Sequence, residues 1–209
     1  PSRAFAVMLR TGILEVTFPA LAQLPPATHE RSFLAVDAEE ARGDTLLRLA
    51  ALLWPLVGQP ETLRDWLTQY RFSNQERDRL MRLVRHARVD AHEPLDDVAL
   101  RRLAHAVERP HLGDVGRLSA LLACAHHGPD SGAAAQAREL AQQLEALAQA
   151  DVALSQKELA VTGNDLMREL GLAPGPKLGQ LLAALLDRVL EEPALNRRHE
   201  LVELARGLL

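Results

Sequence analysis

The carboxyl-terminal part of the chain constrains the fold most, because helix-start signals and a glycine-proline turn follow one another there. Thr162 and Asp165 have the spacing of a capping box, in which a side-chain hydroxyl and a carboxylate bond to backbone N–H groups at a helix start. A helix is therefore predicted over 163–170, and turn formers at 173–176 end it. Pro176 suits the first position of a second helix, where its missing N–H costs nothing. The pattern predicts a helical hairpin.

Composition extends this prediction to the whole chain. Hydrophobic residues make up 47% of the 209 residues and aromatic residues only 3%, so the cores consist mainly of leucine, alanine and valine. Leucine and alanine are strong helix formers, and no segment shows the alternation of a strand. The predicted fold is all-α: a multi-helix bundle with a C-terminal helical hairpin as its tail and no substantial β-sheet.

Two corners of the tail are candidate anion sites. A helix start presents free N–H groups and the positive end of the helix dipole, so the Gly175 turn with Lys177 beside it favours an anion. The alternative is that Gly175 only shapes the turn and Lys177 is solvated. Asn196 is predicted to cap the last helix, which places Arg197 and Arg198 beside a second set of N–H groups. Arg168 extends this corner.

A basic helix in the middle of the chain is the third candidate. A second capping box, at Ser73 to Glu76, starts a helix with an apolar stripe on one face and arginines opposite. Residues 71–88 hold six arginines and two acids, a local charge of +4. We predict phosphate contacts by three of these arginines: Arg79, Arg82 and Arg85. The alternative is a solvated face paired with nearby acids, namely Asp90, Glu93, Asp96 and Asp97.

The string VTGNDLMRELGLAPGPKLGQLLAALLDRVLEEPALNRRHELVELA resembles the C-terminal region of bacterial tRNA nucleotidyltransferases. This family includes CCA-adding enzymes and bacterial poly(A) polymerases. The shared pattern is the small-Gly-x-Asp-Leu start, the Pro-Gly-Pro-x-Leu-Gly turn and the later Asn. The opening string PSRAFAVMLRTGILEVTFPALAQL is similar to the helical neck of the same family. With the helix breakers Pro25-Pro26 and the turn formers at 128–132, the resemblance predicts a neck remnant at 1–24, a helical body at 25–127 and a helical tail domain at 128–209.

The body resembles a degenerate HD-like region. Many relatives carry a metal-binding His-Asp pair after LAALL, but Trp54 and Pro55 stand at these positions and neither binds a metal. A retained helical scaffold without a metal centre is the favoured interpretation. His126 and His127 are interpreted as C-terminal helix capping rather than zinc ligation. We therefore predict no metal ligand and no catalytic residue in this chain.

The resemblance also implies what a whole enzyme of this family contains. Nucleotide addition requires Mg²⁺ and ATP or CTP, which the family binds in an N-terminal catalytic domain with clustered carboxylates. Nothing in this sequence resembles that domain, so we interpret the chain as a fragment of a larger enzyme. Its predicted role is to bind RNA and to position the tRNA acceptor arm for addition of the 3′ CCA end. The chain alone is then not an enzyme, although its parent protein is.

Charge and cysteine content indicate how the chain could attract RNA and which cellular compartment suits it. The net charge is −4, so attraction of RNA must come from local patches of basic residues. A single cysteine, Cys124, excludes an internal disulfide and suits a reducing cytoplasm. No apolar run approaches the length of a membrane span. The expected partners are tRNA or another RNA and the chain's own N-terminal catalytic domain, with no membrane.

Two alternatives remain open from the sequence. One is the tail of a poly(A) polymerase, which has the same architecture but accepts many RNA ends. The other is a non-catalytic helical module for protein interaction or dimerisation, which predicts an exposed apolar face and a homodimer. Salt-dependent binding of tRNA separates the RNA-binding interpretations from the second alternative.

Overall fold

The computed structural model describes residues 1–89 and 94–209. Within these residues the chain forms α-helices and short 3-10 turns and no β-strand, so the predicted all-α fold is confirmed. The thirteen α-helices in the described residues are α1 (Ser2–Arg10), α2 (Ile13–Thr17), α3 (Pro19–Ala22), α4 (Pro26–Asp37), α5 (Thr45–Leu53), α6 (Pro60–Gln69), α7 (Asn74–His86), α8 (Asp97–Val107), α9 (Leu112–His127), α10 (Gly132–Gln149), α11 (Gly163–Leu170), α12 (Pro176–Glu191) and α13 (Arg198–Gly207).

The chain forms two compact units. The first comprises Pro1–Pro94 and Pro110–Glu145, and the second comprises Leu95–Arg109 and Ala146–Leu209. Helix α8 thus belongs to the same unit as the tail helices α11, α12 and α13. The division of the chain into neck, body and tail stays a prediction.

Helix α5 lies at the centre of the first unit, where it contacts α4, α7 and α9. Its start is fixed by Asp44, whose carboxylate accepts a hydrogen bond from the N–H of Leu47 at 3.0 Å. Leu47 and Leu53 are fully buried, and burial of each side chain contributes about 2 kcal/mol. The helix ends at Leu53, before a 3-10 turn that contains Pro55, because proline cannot donate a backbone hydrogen bond.

Both predicted capping boxes form. At the start of α7, the Ser73 hydroxyl accepts from the N–H of Glu76 at 3.2 Å, and the Glu76 carboxylate accepts from the N–H of Ser73 at 2.8 Å. The reciprocal bonds between Thr162 and Asp165 measure 3.2 and 2.9 Å at the start of α11. Since each box satisfies two otherwise unpaired N–H groups, these two helix starts are well defined.

In the second unit, arginine side chains satisfy the carbonyl groups at the ends of helices. Arg101 on α8 donates to the carbonyl oxygens of Leu190 and Glu191 at 2.7 and 3.0 Å, where α12 ends. Arg109 donates to four carbonyl oxygens between residues 147 and 152, at 2.6 to 3.0 Å, and its Nε lies 3.0 Å from Glu158. These carbonyls lie at and beyond the end of α10, where the regular i→i−4 hydrogen bonds of the helix run out, so Arg109 fixes the path of the chain there.

Candidate nucleic-acid interface

The turn between α11 and α12 is built by two glycines with different roles. Gly171 ends α11 in the left-handed conformation at φ +67°, which favours glycine. Gly175 precedes α12 in an extended conformation, and a Cβ added there would meet no atom within 4 Å. The turn therefore requires glycine at 171 but not at 175.

The start of α12 is open to an anion. Gly175 and Lys177 are exposed. Pro176 has no N–H, and the N–H of Leu178 bonds to the carbonyl of Gly175 at 3.1 Å. In the part of the chain that the structure describes, the backbone N–H and the ammonium group of Lys177 have no hydrogen-bond partner. A free amide, a free cation and the positive end of a sixteen-residue helix coincide here.

Asn196 does not cap the last helix, so this prediction was wrong. Arg197 is the residue before α13, and no side chain caps that helix. The Asn196 amide accepts a hydrogen bond from the N–H of Ala160 at 2.8 Å and donates to the carbonyl of Glu158 at 3.1 Å. The amide thus bonds to one N–H and one carbonyl of the loop at 158–160, whereas a helix cap would accept from an N–H group of α13. Its contact with RNA stays a prediction.

The two hydrogen bonds of Asn196 join two segments that each carry a cation. They fasten the loop that carries Lys157 to the segment that carries Arg197. Lys157 and Arg197 are both exposed, and neither forms an ion pair in the residues that the structure covers. Sequence reasoning missed Lys157, because nothing local to residue 157 reveals a neighbour so far along the chain.

Arg168 and Arg198 are in a different state, since acids hold both. The Nη2 atom of Arg198 lies 3.0 Å from Asp165 and 3.1 Å from Glu169, and Arg168 lies 3.0 Å from Asp165. Hydrogen bonds from Thr162, with a smaller contribution from Arg198, lower the pKa of Asp165 to about 2. Asp165 therefore stays ionised at neutral pH and competes with any phosphate for these two arginines.

The first turn of α11 connects the two corners of the tail. A Cβ added at Gly163 would lie 3.3 Å from the side chain of Leu178 on α12, so the two helices approach closely there. Two residues further, Asp165 pairs with Arg198 on α13. The segments bearing Lys177 and Arg198 thus pack on the same short turn.

On α7, Arg79 is part of an ion-pair network within the first unit. Its Nε donates to Asp114 on α9 and its Nη2 donates to Asp44, each at 2.9 Å. Burial alone lowers the pKa of Arg79, but the two carboxylates outweigh that effect and the net pKa is raised. The partners are not the acids expected from the sequence, of which Asp90 and Glu93 lie outside the described residues. A phosphate contact by Arg79 stays a prediction that these ion pairs oppose.

The other two candidate arginines of α7, Arg82 and Arg85, raise the local potential. Arg85 is exposed and forms no ion pair within residues 1–89 and 94–209, whereas Arg82 is half-buried. Burial lowers the pKa of His86, and the charges of Arg85 and Arg82 lower it further. Arg85 is therefore the α7 arginine best placed for a ligand.

The HD-like positions contain packed side chains. Trp54 lies edge-on to His126 with ring centres 5.2 Å apart. His29 is buried, and its Nε2 is 2.8 Å from the carbonyl oxygen of Leu21. Among the described residues, no group of three or more His, Cys, Asp or Glu residues is arranged to hold a metal ion.

Comparison with protein families identifies the chain. The model of the family described as tRNA nucleotidyltransferase domain 2 matches residues 45–205, well over half of the sequence. The chain belongs to this family. The resemblance to the C-terminal region of a tRNA nucleotidyltransferase is thereby confirmed. No curated protein and no solved structure matches the chain.

The family match begins at the start of α5 and ends within α13, so it includes the HD-like positions, the basic helix α7 and both corners of the tail. In its described residues, this member of the tRNA nucleotidyltransferase domain 2 family contains helices, joined by turns and loops, and no β-strand. None of the described helices has the length and apolar character needed to cross a membrane.

Proposed function

We propose that this tRNA nucleotidyltransferase domain 2 protein binds RNA and positions the tRNA acceptor arm while a separate catalytic domain adds nucleotides of the 3′ CCA end. In this proposal the catalytic domain binds Mg²⁺ and ATP or CTP, and the chain described here contributes no catalytic residue. The chain's partners are tRNA and that domain, and its compartment is the cytoplasm.

The unpaired cations of the tail are the observation that carries the proposal. Lys157, Lys177 and Arg197 are exposed and free of acids within the described chain, whereas Arg168 and Arg198 are paired. A protein with a net charge of −4 attracts a polyanion only through such local groups. A phosphate that reaches the Lys177 ammonium group also gains the free backbone N–H of Lys177 at the start of α12.

The chemistry of a duplex RNA arm fits this arrangement. Proteins recognise A-form RNA chiefly through its shape, phosphates and 2′-hydroxyl groups, since the deep major groove hides the base edges. A few cations at fixed positions, on α12 and on the segments joined by Asn196, suit this purpose. Exposed aromatic side chains for base stacking are not required.

Binding of tRNA measured over a range of salt concentrations tests the proposal. Each lost phosphate contact reduces the slope of log affinity against log salt by about 1, so the Lys177→Gln, Arg197→Gln double variant should lower the slope by about 2. The control is Arg188→Gln, Arg206→Gln, which removes the same charge from exposed arginines paired with Glu191 and Glu203. Equal losses in both double variants, or no binding by the wild type, would refute a site in the tail.

The protein-interaction alternative has one observation in its favour. The side chains of Val16 and Leu34 in the first unit are 84% and 64% exposed. Sedimentation of the wild type and of Val16→Glu, Leu34→Glu tests whether these exposed apolar residues mediate a homodimer. This alternative would be favoured if the wild type does not bind tRNA and associates in a concentration-dependent way that the double variant abolishes.

The poly(A) polymerase alternative differs in the breadth of RNA accepted. A clamp for the acceptor arm should bind intact tRNA more tightly than an unstructured RNA of equal length. Equal affinity for both RNAs would favour the tail of a poly(A) polymerase.

A further inference from the structure

Aromatic residues are few in this chain, and more than half of them gather at one place in the first unit. The chain has only four Phe, two Trp and one Tyr. The ring of Trp66 lies at the centre of the cluster, 4.4 Å from that of Phe18 and 4.9 Å from that of Tyr70. The ring of Phe72 is 5.8 Å from the same tryptophan. The end of α6 therefore carries an aromatic cluster of four rings.

Tyr70 is the exposed member of this cluster. Its side chain is 44% exposed, and no other Phe, Trp or Tyr of the described chain is exposed. The Tyr70 hydroxyl donates a hydrogen bond to the carbonyl oxygen of Thr17 at 2.9 Å, and Nε1 of Trp66 donates to the same oxygen at 2.9 Å. Because the protein engages the hydroxyl, Tyr70 offers a ligand its ring. A ring held by packing and by a hydrogen bond loses little freedom when a ligand covers it.

The turn after α6 fixes the position of Tyr70. Arg71 has the left-handed conformation at φ +57°, and its N–H bonds to the carbonyl of Thr68 at 3.1 Å. The N–H of Phe72 bonds to the carbonyl of Leu67 at 3.1 Å, which completes the closure of the helix end. The capping box at Ser73 then begins α7. Tyr70 thus lies between two well-defined helix ends.

Two arginines at this turn have no acid partner in the described residues. Arg71 follows Tyr70 directly, is exposed, and forms no side-chain hydrogen bond or ion pair there. The guanidinium group of Arg77 bonds to neutral groups, since Nη1 donates to the Thr68 hydroxyl at 2.9 Å and Nη2 donates to the Asn74 amide oxygen. Thr68 precedes Tyr70 by two residues, so both positive charges lie at the turn that carries the exposed ring.

The acids of the two helices are engaged or lie on other sides. The carboxylate of Glu76 accepts the hydrogen bonds of the capping box. Asp65 precedes Tyr70 by five residues, which places it about 140° away around α6. Asp78 is about 100° from Arg77 around α7. The turn between α6 and α7 therefore combines an apolar ring with two arginines that no acid neutralises in the described chain.

An unpaired nucleotide has both features that this turn can recognise. Its base has a π face that stacks on an aromatic ring, and its phosphate attracts arginine. A base inside a duplex cannot cover the ring, because its neighbours already stack on it. An apolar protein surface would cover Tyr70 but would leave the charges of Arg71 and Arg77 without a partner. The combination favours a single-stranded stretch of nucleic acid.

We propose that the turn between α6 and α7 is a stacking site for an unpaired nucleotide of a bound RNA, with the base on Tyr70 and the phosphates at Arg71 and Arg77. The inference rests on the proposed function in that the ligand is RNA. It adds a site that recognises an unpaired base, whereas the tail cations recognise the phosphates of a duplex. All its residues belong to the first compact unit, and the tail cations belong to the second.

Binding of two short probes tests the stacking site. One probe is a single-stranded RNA of about ten nucleotides, and the other is the same ribose-phosphate chain without bases, so both carry the same charge. Since stacking of one base strengthens binding about tenfold, the wild type should bind the RNA about tenfold more tightly than the abasic chain. Tyr70→Leu should bind both probes equally. Tyr70→Phe keeps the ring and should keep the preference.

The contribution of charge is measured with the same probes. Arg71→Gln should weaken the binding of both probes alike and should reduce the slope of log affinity against log salt by about 0.7, the value for one phosphate of a single strand. Arg64→Gln is the matched control, since Arg64 is an exposed arginine of α6 that pairs with Glu61. The control should leave the slope unchanged.

Photochemical crosslinking of the wild type tests the site without any substitution, so the test holds even where Tyr70→Leu fails to fold. RNA that contains 5-iodouridine crosslinks to an aromatic ring on which its base stacks. Trypsin releases Tyr70 in the peptide 65–71, because arginine stands at both 64 and 71. The crosslink should lie on Tyr70 within this peptide. Crosslinks confined to other residues would overturn the proposal.

The remaining outcomes separate this site from its rivals. A wild type without preference for bases, or an equal preference in Tyr70→Leu, overturns the stacking site. So does self-association of the wild type that Tyr70→Leu abolishes while RNA affinity stays the same, since Tyr70 would then form a protein contact. The Lys177→Gln, Arg197→Gln variant should keep the preference for bases while its tRNA binding weakens. A wild type that binds tRNA through the tail but shows no base preference leaves the proposed function intact, whereas base preference with no effect of the tail variant refutes the tail site alone.

Discussion

The basic helix α7 and the start of α12 look alike in sequence, since each places cations next to a strong helix-start signal, but the structure treats them differently. Arg79 on α7 forms ion pairs with Asp44, just before α5, and with Asp114 on α9. Lys177 on α12 has no acid partner within the described residues. The difference shows that a cation's role depends on acids distant in sequence rather than on the residues beside it.

The largest expected effect is the loss of the Arg79 network. Arg79→Ala would leave Asp44 and Asp114 with Arg117 alone, whose Nη1 atom lies 3.7 and 3.5 Å from them, and should lower the free energy of unfolding by about 2 to 3 kcal/mol. Urea denaturation measures this change. Arg85→Ala removes an unpaired arginine of the same helix and should change stability by less than about 0.5 kcal/mol. If the two variants are equally stable, Arg79 is not a structural residue and the contrast with Lys177 disappears.

Asn196 should also behave as a structural residue of the tail. Asn196→Ala removes two hydrogen bonds to the loop at 158–160, and we expect a loss of about 1 to 2 kcal/mol in urea denaturation. Asn164→Ala, at an exposed position of α11 with no side-chain hydrogen bond in the described chain, is the control. A stable Asn196→Ala variant that loses tRNA binding would instead make Asn196 a ligand of RNA.

The two glycines of the turn should respond unequally to alanine. Gly171→Ala forces a side chain into the left-handed conformation at φ +67° and should cost about 1 kcal/mol. Gly175→Ala should change stability by no more than a few tenths of a kcal/mol, since its backbone is extended and the space around it is open. Thermal unfolding of the two variants side by side measures the difference, and the reverse order would contradict the turn geometry described here.

The smallest expected effect concerns the acid limb of the stability curve. Asp165 has a pKa of about 2 in the folded protein, below its ordinary 3.8, so its ionised form stabilises the fold. That stabilisation is fully present above about pH 4 and is lost as the pH falls through about 2. Asp165→Asn should therefore lower the Tm at pH 6 and flatten its fall between pH 4 and 2. Parallel curves for variant and wild type would show that the Asp165 carboxylate contributes nothing.

Local chemistry was predictable from the sequence. The capping boxes at Ser73 and Thr162 and the helix start at Pro176 follow from residues three or four positions apart, so the sequence alone locates them. The all-α class followed from the scarcity of strand patterns. The family resemblance rested on similarly local motifs.

Tertiary pairing was not predictable. The acids that hold Arg79 lie 35 residues before and after it, and Arg198 finds Glu169 29 positions away. Asparagine is a common helix cap, yet the Asn196 amide forms its hydrogen bonds with a loop more than 30 residues upstream. The exposure of Lys157 likewise depends on packing, which no window of sequence contains.

The grip of Arg109 on the segment after α10 has an evolutionary consequence. Its hydrogen bonds to this segment go to main-chain oxygens, which every amino acid carries, so the side chains of residues 147–152 can change as long as the backbone path is kept. Position 109 has no such freedom, because a lysine ammonium at the end of a flexible stem lacks the wide planar fork that spans these oxygens. Among descendants of a common ancestor, we expect one invariant arginine opposite a variable stretch of chain.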